Sequence, residues 1–204
     1  MKTTRFILSV IIFFFSIDNG YAYRYLSPYA YCAGDPVNCI DPDGCKIVVL
    51  GSKIFKDNYN YAVNYLKSIG AGAIIEKLEK DPTSTITVTM ATGKTPSEYK
   101  NGKLKWNPSQ GVLTDNNYIL SPAEVLNHEA DHGLDDKTNP EHAKNSKIDT
   151  NNKYDSKEEE RVIKGSEQDT AKKTGKKVPA EGTRTNHKGT PVEVENCISS
   201  KPIL

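Results

Sequence analysis

Two histidines, His128 and His132, stand four residues apart in the sequence, and Glu129 directly follows the first. On an α-helix, residues four apart share a face, with Cβ atoms roughly 5–6 Å apart. That gap suits two imidazoles that bind one Zn²⁺ at about 2.0–2.1 Å each. Glu129 would lie about 100° round the helix, beside the metal, where a carboxylate can accept a proton from a zinc-activated water. The pattern predicts a zinc site with His128 and His132 as ligands and Glu129 as the catalytic base.

The residues before this motif predict the start of the helix that it needs. Ser121 is a favourable N-cap, Pro122 fits the first helical position, and Glu124 completes a capping box. The apolar residues on the expected inner face are Leu126, Ala130 and Leu134. The alternative interpretation is a well-capped polar helix that carries two solvent-facing histidines and no metal.

Two histidines leave zinc short of a third protein ligand, and no third histidine follows closely enough to supply it. The acidic run K-E-E-E downstream offers Glu159, whose face of a second helix would also carry Val162 as an apolar anchor. Asp135 or Asp136 is expected to accept the other ring N–H of a ligand histidine. Acidic residues also suit a first helical turn without any metal, because of the helix dipole. Glu158 and Glu160 are the alternative third ligands. Glu158 is also predicted as an accessory residue of the site.

Periodicity predicts the elements around the motif. Residues 54–68 place apolar side chains at near-helical spacing, and residues 83–90 alternate threonine with apolar residues, as a half-buried strand does. Leu104 and Trp106 alternate with lysines in a strand that we expect to pair with the strand at 83–90. The other predictions are a strand over 45–52, helices over 73–80 and 156–174, and a loop over 137–157.

Composition limits the class of protein. The 204 residues suffice for one domain with appendages, and 36% of them are hydrophobic. The net charge of +1 indicates no nucleic-acid partner. The spacing of the four cysteines fits no tight metal-binding pair, and a disulfide becomes plausible only in an exported chain. The cysteines are Cys32, Cys39, Cys45 and Cys197.

The first 22 residues have the three-part layout of a secretory signal peptide. Lys2 and Arg5 precede a short apolar run, and Gly20 and Ala22 are the small residues that a signal peptidase requires. We expect cleavage after Ala22 and a protein that is secreted, periplasmic or on the cell surface, with no stable membrane span after processing. An uncleaved anchor and a mistaken gene start are the alternatives.

Residues 23–44 end in P-Y-A-Y-C-A-G-D-P-V-N-C-I-D-P-D-G. This run resembles the end of the conserved core of Rhs/YD-repeat proteins, in which a β-shell encloses a C-terminal toxin. The shell repeats are missing here. The resemblance implies a core remnant of strand–turn character over 23–44, a toxin domain over 45–175 and an extended tail over 176–204 that can pack on the domain.

The motif helix, the K-E-E-E-R-V-I-K-G-S-E-Q run and T-R-T-N-H-K-G-T-P resemble the zincin metallopeptidase toxin domains found behind such cores. The resemblance implies an α+β fold with a short antiparallel sheet over the H-E-x-x-H helix and Trp106's strand at the substrate edge. It also implies Zn²⁺, a protein or peptide substrate and a cognate immunity protein. On this pattern His187 stabilises an oxyanion, serves as a substitute ligand or belongs to a structural turn.

Two other functions compete with the peptidase prediction. A metal-dependent nuclease could use the same histidines, but it would be expected to show a basic groove with stacking aromatics. The lysines here are scattered among acids instead. The second alternative is a decayed, secreted remnant of an Rhs protein, with no catalysis.

Overall fold

The computed structural model describes residues 47–81, 85–93, 95–148, 150 and 153–203. Three predictions lie outside these ranges: the signal peptide over 1–22, its cleavage after Ala22, and the Rhs-like strip over 23–44. Within the described ranges, no helix is long and apolar enough to cross a bilayer.

The fold is α+β, as expected. The helices of the described part are α1 (Lys53–Ser68), α2 (Ala73–Lys80), α3 (Pro122–Thr138), α4 (Pro140–Ile148), α5 (Lys157–Val162) and α6 (Gln168–Lys173), with a π-helical turn at Ile163–Glu167 between the last two. The strands are β1 (Ile47–Leu50), β2 (Ile86–Met90), β3 (Glu98–Lys100), β4 (Lys103–Trp106), β5 (Gln110–Thr114), β6 (Ile119–Leu120) and β7 (Gly189–Glu193).

The first sheet has the order β1-β2-β4-β3. Strands β1, β2 and β4 run parallel, and only β3 pairs antiparallel, with β4. The prediction of a short antiparallel sheet is therefore wrong for this sheet, although β4 does pair with β2. Alternation shows which face of a strand is buried, but it carries no information on the direction of its neighbour.

The expected edge position of Trp106 is also wrong. Strand β4 lies inside the sheet, and Trp106 is fully buried, while β3 forms the edge. The indole Nε1–H of Trp106 donates to the carbonyl of Pro122 at 2.7 Å, and its ring packs on Phe55 and Tyr59 of α1 with centroids 5.9 and 6.3 Å away. Trp106 thus joins the sheet to the first turn of α3 instead of facing a substrate.

The second sheet, β6-β5-β7, is antiparallel and includes part of the segment after residue 176. Strand β7 pairs with β5 over its whole length, and Cys197 is buried in the same core as α1 and the first sheet. The segment after residue 176 therefore packs on the domain through β7 and Cys197. The predicted loop over 137–157 is wrong in part, because α4 forms there with only Ala143 and Ser146 buried.

Helix α3 carries the motif and begins as predicted. The Ser121 hydroxyl accepts from the Glu124 backbone N–H, and the Glu124 carboxylate accepts from the Ser121 N–H. His128 and His132 are only 4% and 5% exposed, so the alternative of a helix with two solvent-facing histidines is wrong. α3 is packed by both sheets and by α1, α2, α4 and α5.

Ser121→Ala removes this cap, and we expect it to lower the free energy of unfolding by about 1–2 kcal/mol. Urea unfolding of the purified chain measures the change. Ser68→Ala is the matched control, because the Ser68 hydroxyl donates to the Tyr65 carbonyl at an exposed helix end. Equal losses in both variants would contradict a specific role of the Ser121 cap.

Candidate metal centre

Three side chains converge where α3 faces α5. The Nε2 atoms of His128 and His132 lie 3.2 Å apart, and each lies 3.3 Å from one oxygen of the Glu159 carboxylate. Donors of a tetrahedral zinc site with bonds of about 2.0–2.1 Å are about 3.3–3.4 Å from one another. The three side chains therefore form a group that can hold a metal ion, and Glu159 takes the third position predicted for it.

The protons of the two rings show why this group suits a cation. Nδ1 of His128 lies 2.9 Å from Glu167, and Nδ1 of His132 lies 3.0 Å from Glu158. A carboxylate accepts, so each Nδ1 carries a proton, and in its neutral form each ring turns an Nε2 lone pair inward. The two lone pairs face each other and Glu159, whose buried Oε2 accepts no hydrogen bond from any described residue. A cation satisfies all of these acceptors at once.

The prediction that Asp135 or Asp136 accepts a ring N–H of His128 or His132 is wrong. Asp135 lies 2.8 Å from Nδ1 of His142 on α4, and Asp136 accepts from the Tyr99 hydroxyl at 2.8 Å. Neither aspartate contacts a ligand histidine, because the helical segment α5–π–α6 lies alongside α3 and presents its own carboxylates there. The accessory role predicted for Glu158 is the one that the geometry supports.

An arginine fixes each of these two carboxylates. Arg161 donates to both oxygens of Glu158, at 3.0 and 2.7 Å. Arg184 donates to both oxygens of Glu167, at 3.1 and 2.5 Å. Two matched histidine–glutamate–arginine chains thus hold the imidazoles, and the charge-assisted, forked geometry leaves each carboxylate little freedom.

The π-helical turn explains how one helical segment supplies both carboxylates. Glu158 and Glu167 are nine residues apart, which is about two and a half turns of an α-helix, so they would point in opposite directions on a regular helix. A π-helix has more residues per turn than an α-helix. The π-helical turn at Ile163–Glu167 therefore changes the direction of Glu167 relative to Glu158. In the structure both side chains reach α3. Sequence periodicity alone could not have assigned Glu167, since the α-helical period excludes it.

The carboxylates around the histidines shift the pKa values of the site. Burial alone would lower the pKa of His132, but hydrogen bonds to Glu158 and Glu159 outweigh it and raise the pKa to about 10. Burial would raise the pKa of Glu158, but His132 and Arg161 hold it at about 2. Glu167 is likewise held at about 2 by His128 and Arg184. The two carboxylates therefore stay ionised beside the histidines, an arrangement that a positive charge at the imidazoles stabilises, whether a proton or a metal ion supplies it.

Glu129 lies beside the donor group rather than within it. Its Oε2 accepts from the Tyr99 backbone N–H of the edge strand β3 at 2.7 Å, which fixes the carboxylate at the mouth of the site. Burial raises the pKa of Glu129, and a carboxyl with a raised pKa is a stronger base. The position and the proton affinity both suit the role predicted for it.

His187 reaches the same point from the C-terminal part of the chain. Its Nε2 lies 3.4 Å from Oε2 of Glu159, and its Nδ1 lies 2.6 Å from Asp155. Asp155 adopts a left-handed backbone with φ of 68°, a conformation that is uncommon outside glycine and marks functional or turn positions. The run T-R-T-N-H is thereby explained, since Thr183 and Arg184 hold Glu167 while His187 faces the donor group.

A second group, Asp135, His142 and Glu158, also has donor atoms close enough for a metal. Glu158 is already engaged there by His132, Arg161 and Ser146. The group of His128, His132 and Glu159 is the better centre, because among the described residues only histidines approach the Glu159 carboxylate.

Glu167→Gln is expected to lower zinc affinity about 10–100-fold, because partners of metal-bound imidazoles have effects of that size. Competition with a zinc chelator of known affinity measures it. Glu160→Gln is the matched control on the same helical segment, since Glu160 pairs with Lys164 at 2.5 Å on the outer side. An equal loss in both variants would contradict the role assigned to Glu167, and a loss confined to Glu160→Gln would return Glu160 as the ligand.

Comparison of the chain with protein-family models, with curated proteins and with solved structures finds no match. The site is therefore interpreted from its own geometry.

Proposed function

We propose that this protein is a zinc-dependent metallopeptidase of the zincin kind. The observation that carries the proposal is the inward convergence of two imidazole Nε2 atoms and one carboxylate, 3.2–3.3 Å apart, with a second carboxylate beside them. Histidine and carboxylate donors in this number suit a catalytic zinc site, which keeps a fourth position open. When bound, zinc polarises the scissile carbonyl and lowers the pKa of the attacking water.

The side chains of this protein would then divide the proton transfers and the charge stabilisation. Glu129 accepts a proton from the attacking water and donates it to the leaving amine. The Tyr99 N–H orients the Glu129 carboxylate for both transfers. As an imidazolium, His187 would donate its Nδ1–H to Asp155 and its Nε2–H to the oxygen on which negative charge develops.

The edge strand β3 supports an extended peptide as the substrate. It lies at the border of the cavity that contains Glu129 and His132. A strand at the edge of a sheet can accept a peptide as an additional strand, here through backbone groups other than the Tyr99 N–H, which donates to Glu129. The substrate edge is thus assigned to residues 98–100 instead of the strand of Trp106.

The biological part of the proposal rests on the Rhs-type resemblance. It is an exported effector toxin of bacterial competition that hydrolyses target proteins, with a cognate immunity protein as its partner. The two matched histidine–glutamate–arginine chains support an active effector over a decayed remnant, because a site without function would not be expected to retain both.

The zinc content of the purified chain tests the proposal, measured by elemental analysis beside His132→Ala. We expect one zinc per chain in the native protein, none in the variant, and chelator-sensitive cleavage of unfolded protein by the native chain. Absence of zinc from both proteins would contradict the proposal and favour the decayed-remnant alternative.

A further inference from the structure

A cavity of about 290 Å³ opens directly beside His128 and Glu129. We call it the apolar cavity, because its walls are formed mainly by aliphatic groups of α3 and the second sheet. Its apolar walls come from Val112, Leu120, Val125 and Pro191. Val125 precedes His128 by three residues on α3, so the floor of the cavity and the candidate metal ligand share one helix face.

A second, polar cavity also borders Glu129. It is lined by Glu98, Lys147, Ser156 and the donor side chains His132 and Glu159. Pro96, Ser97, Glu129 and His187 border both cavities. A peptide whose scissile bond lies at Glu129 therefore has both cavities within reach of the residues that flank that bond.

The charges near the apolar cavity exclude a basic side chain. Among the described residues that line it, Glu129 is the one carboxylate, and the proposed reaction requires it. The other charged groups there are the cation Arg184, held by Glu167, and Lys188 at the exposed rim. A lysine or arginine side chain would enter an apolar space without a counter-ion, which is unfavourable.

The size of the cavity selects among apolar side chains. An apolar cavity of about 150 Å³ holds benzene, so this one holds a leucine, methionine or phenylalanine side chain with room to spare. Glycine and alanine would leave most of its wall without contacts.

We propose that the apolar cavity is the specificity pocket of this protein, and that it takes a large aliphatic or aromatic side chain of a residue flanking the scissile bond. The inference rests on the proposed peptidase function and names its substrate class. Cleavage beside such a residue is expected to exceed cleavage beside glycine or lysine by at least about 10–200-fold in kcat/KM, the range that a single methylene contributes in an apolar pocket.

The test is a cleavage profile of the zinc-loaded native chain on a diverse peptide mixture, with cut sites read by mass spectrometry. The profile is repeated with Val112→Glu, which places a carboxylate on the cavity wall. Leu113→Glu is the matched control, because neighbours on a strand point to opposite faces and Leu113 lines a different surface groove. We expect Val112→Glu to shift the favoured residue towards lysine and arginine, and Leu113→Glu to keep the native profile.

The outcomes separate this inference from the function on which it rests. Peptide cleavage with no apolar preference beside the cut would overturn the pocket and leave the peptidase intact. An apolar preference that both glutamate variants retain would overturn the assignment to this cavity. If Val112→Glu does not fold, the native profile alone still decides whether an apolar preference exists. A zinc-loaded chain that cleaves no peptide would instead overturn the proposed function, and this inference with it.

Discussion

Glu129→Gln is expected to reduce peptide cleavage by about 10²–10⁴-fold, the usual contribution of a general base, while the protein keeps its zinc. Glutamine has nearly the shape of glutamate but cannot accept the proton of the attacking water. Zinc should remain, because Glu129 is outside the group formed by His128, His132 and Glu159.

Initial rates and zinc content, measured on the same preparations, test this separation. Glu160→Gln serves as the control with the same chemical change at a position away from both cavities, and it should retain native activity. Full activity in Glu129→Gln would contradict the mechanism, and loss of zinc from that variant would reassign Glu129 as a metal ligand.

Zinc should raise the melting temperature by about 8–16 °C when its free concentration exceeds the dissociation constant a thousandfold. Such an excess contributes about 4 kcal/mol, and each kcal/mol shifts the melting temperature of a chain of this size by about 2–4 °C. The effect should be absent in His132→Ala.

Protonation of His132 and binding of zinc should stabilise the protein with opposite dependences on pH. In the zinc-free protein the pKa of His132 is raised to about 10, above the ordinary value of about 6.5. The protonated ring therefore stabilises the fold fully below about pH 6.5, and this contribution is lost as the pH rises towards 10. Zinc requires the unprotonated ring, so its stabilisation grows over the same interval.

Melting curves at pH 6 and pH 8.5, with zinc and with a chelator, measure this divergence. At each pH, the melting temperature with chelator is subtracted from the melting temperature with zinc. This difference should be larger at pH 8.5 than at pH 6. A difference that stays constant across the two pH values would show that no histidine with a raised pKa titrates on zinc binding.

The centre of the site could be predicted from the sequence because its determinants are local. The capping box of Ser121 and Glu124 fixes where α3 begins, and helical spacing then fixes the relation of His128 to His132. Glu159 was identified because a second helix with an apolar anchor could be read from its own short segment.

The remaining parts depend on long-range packing or on departures from regular geometry. Glu167 is brought to His128 by a π-helical turn, and Arg184 comes from a separate irregular segment. The parallel pairing of β1, β2 and β4 is set by crossover connections that strand alternation does not record. Helix α4 buries two small residues, so its apolar period was too weak to separate it from a loop.

The order of the site residues along the chain has a consequence for synthesis on the ribosome. Arg184 follows Glu159 by 25 residues, which takes about 1–5 s at translation rates of about 5–20 residues per second. The donor side chains are therefore made before the arginine that fixes Glu167 and before the histidine that faces Glu159. A nascent chain that has reached only α5 has neither of them, nor the strand β7 that lines the apolar cavity. If the protein is the peptidase proposed above, the producing cell would thus meet the assembled site only after residues 184–193 have been translated.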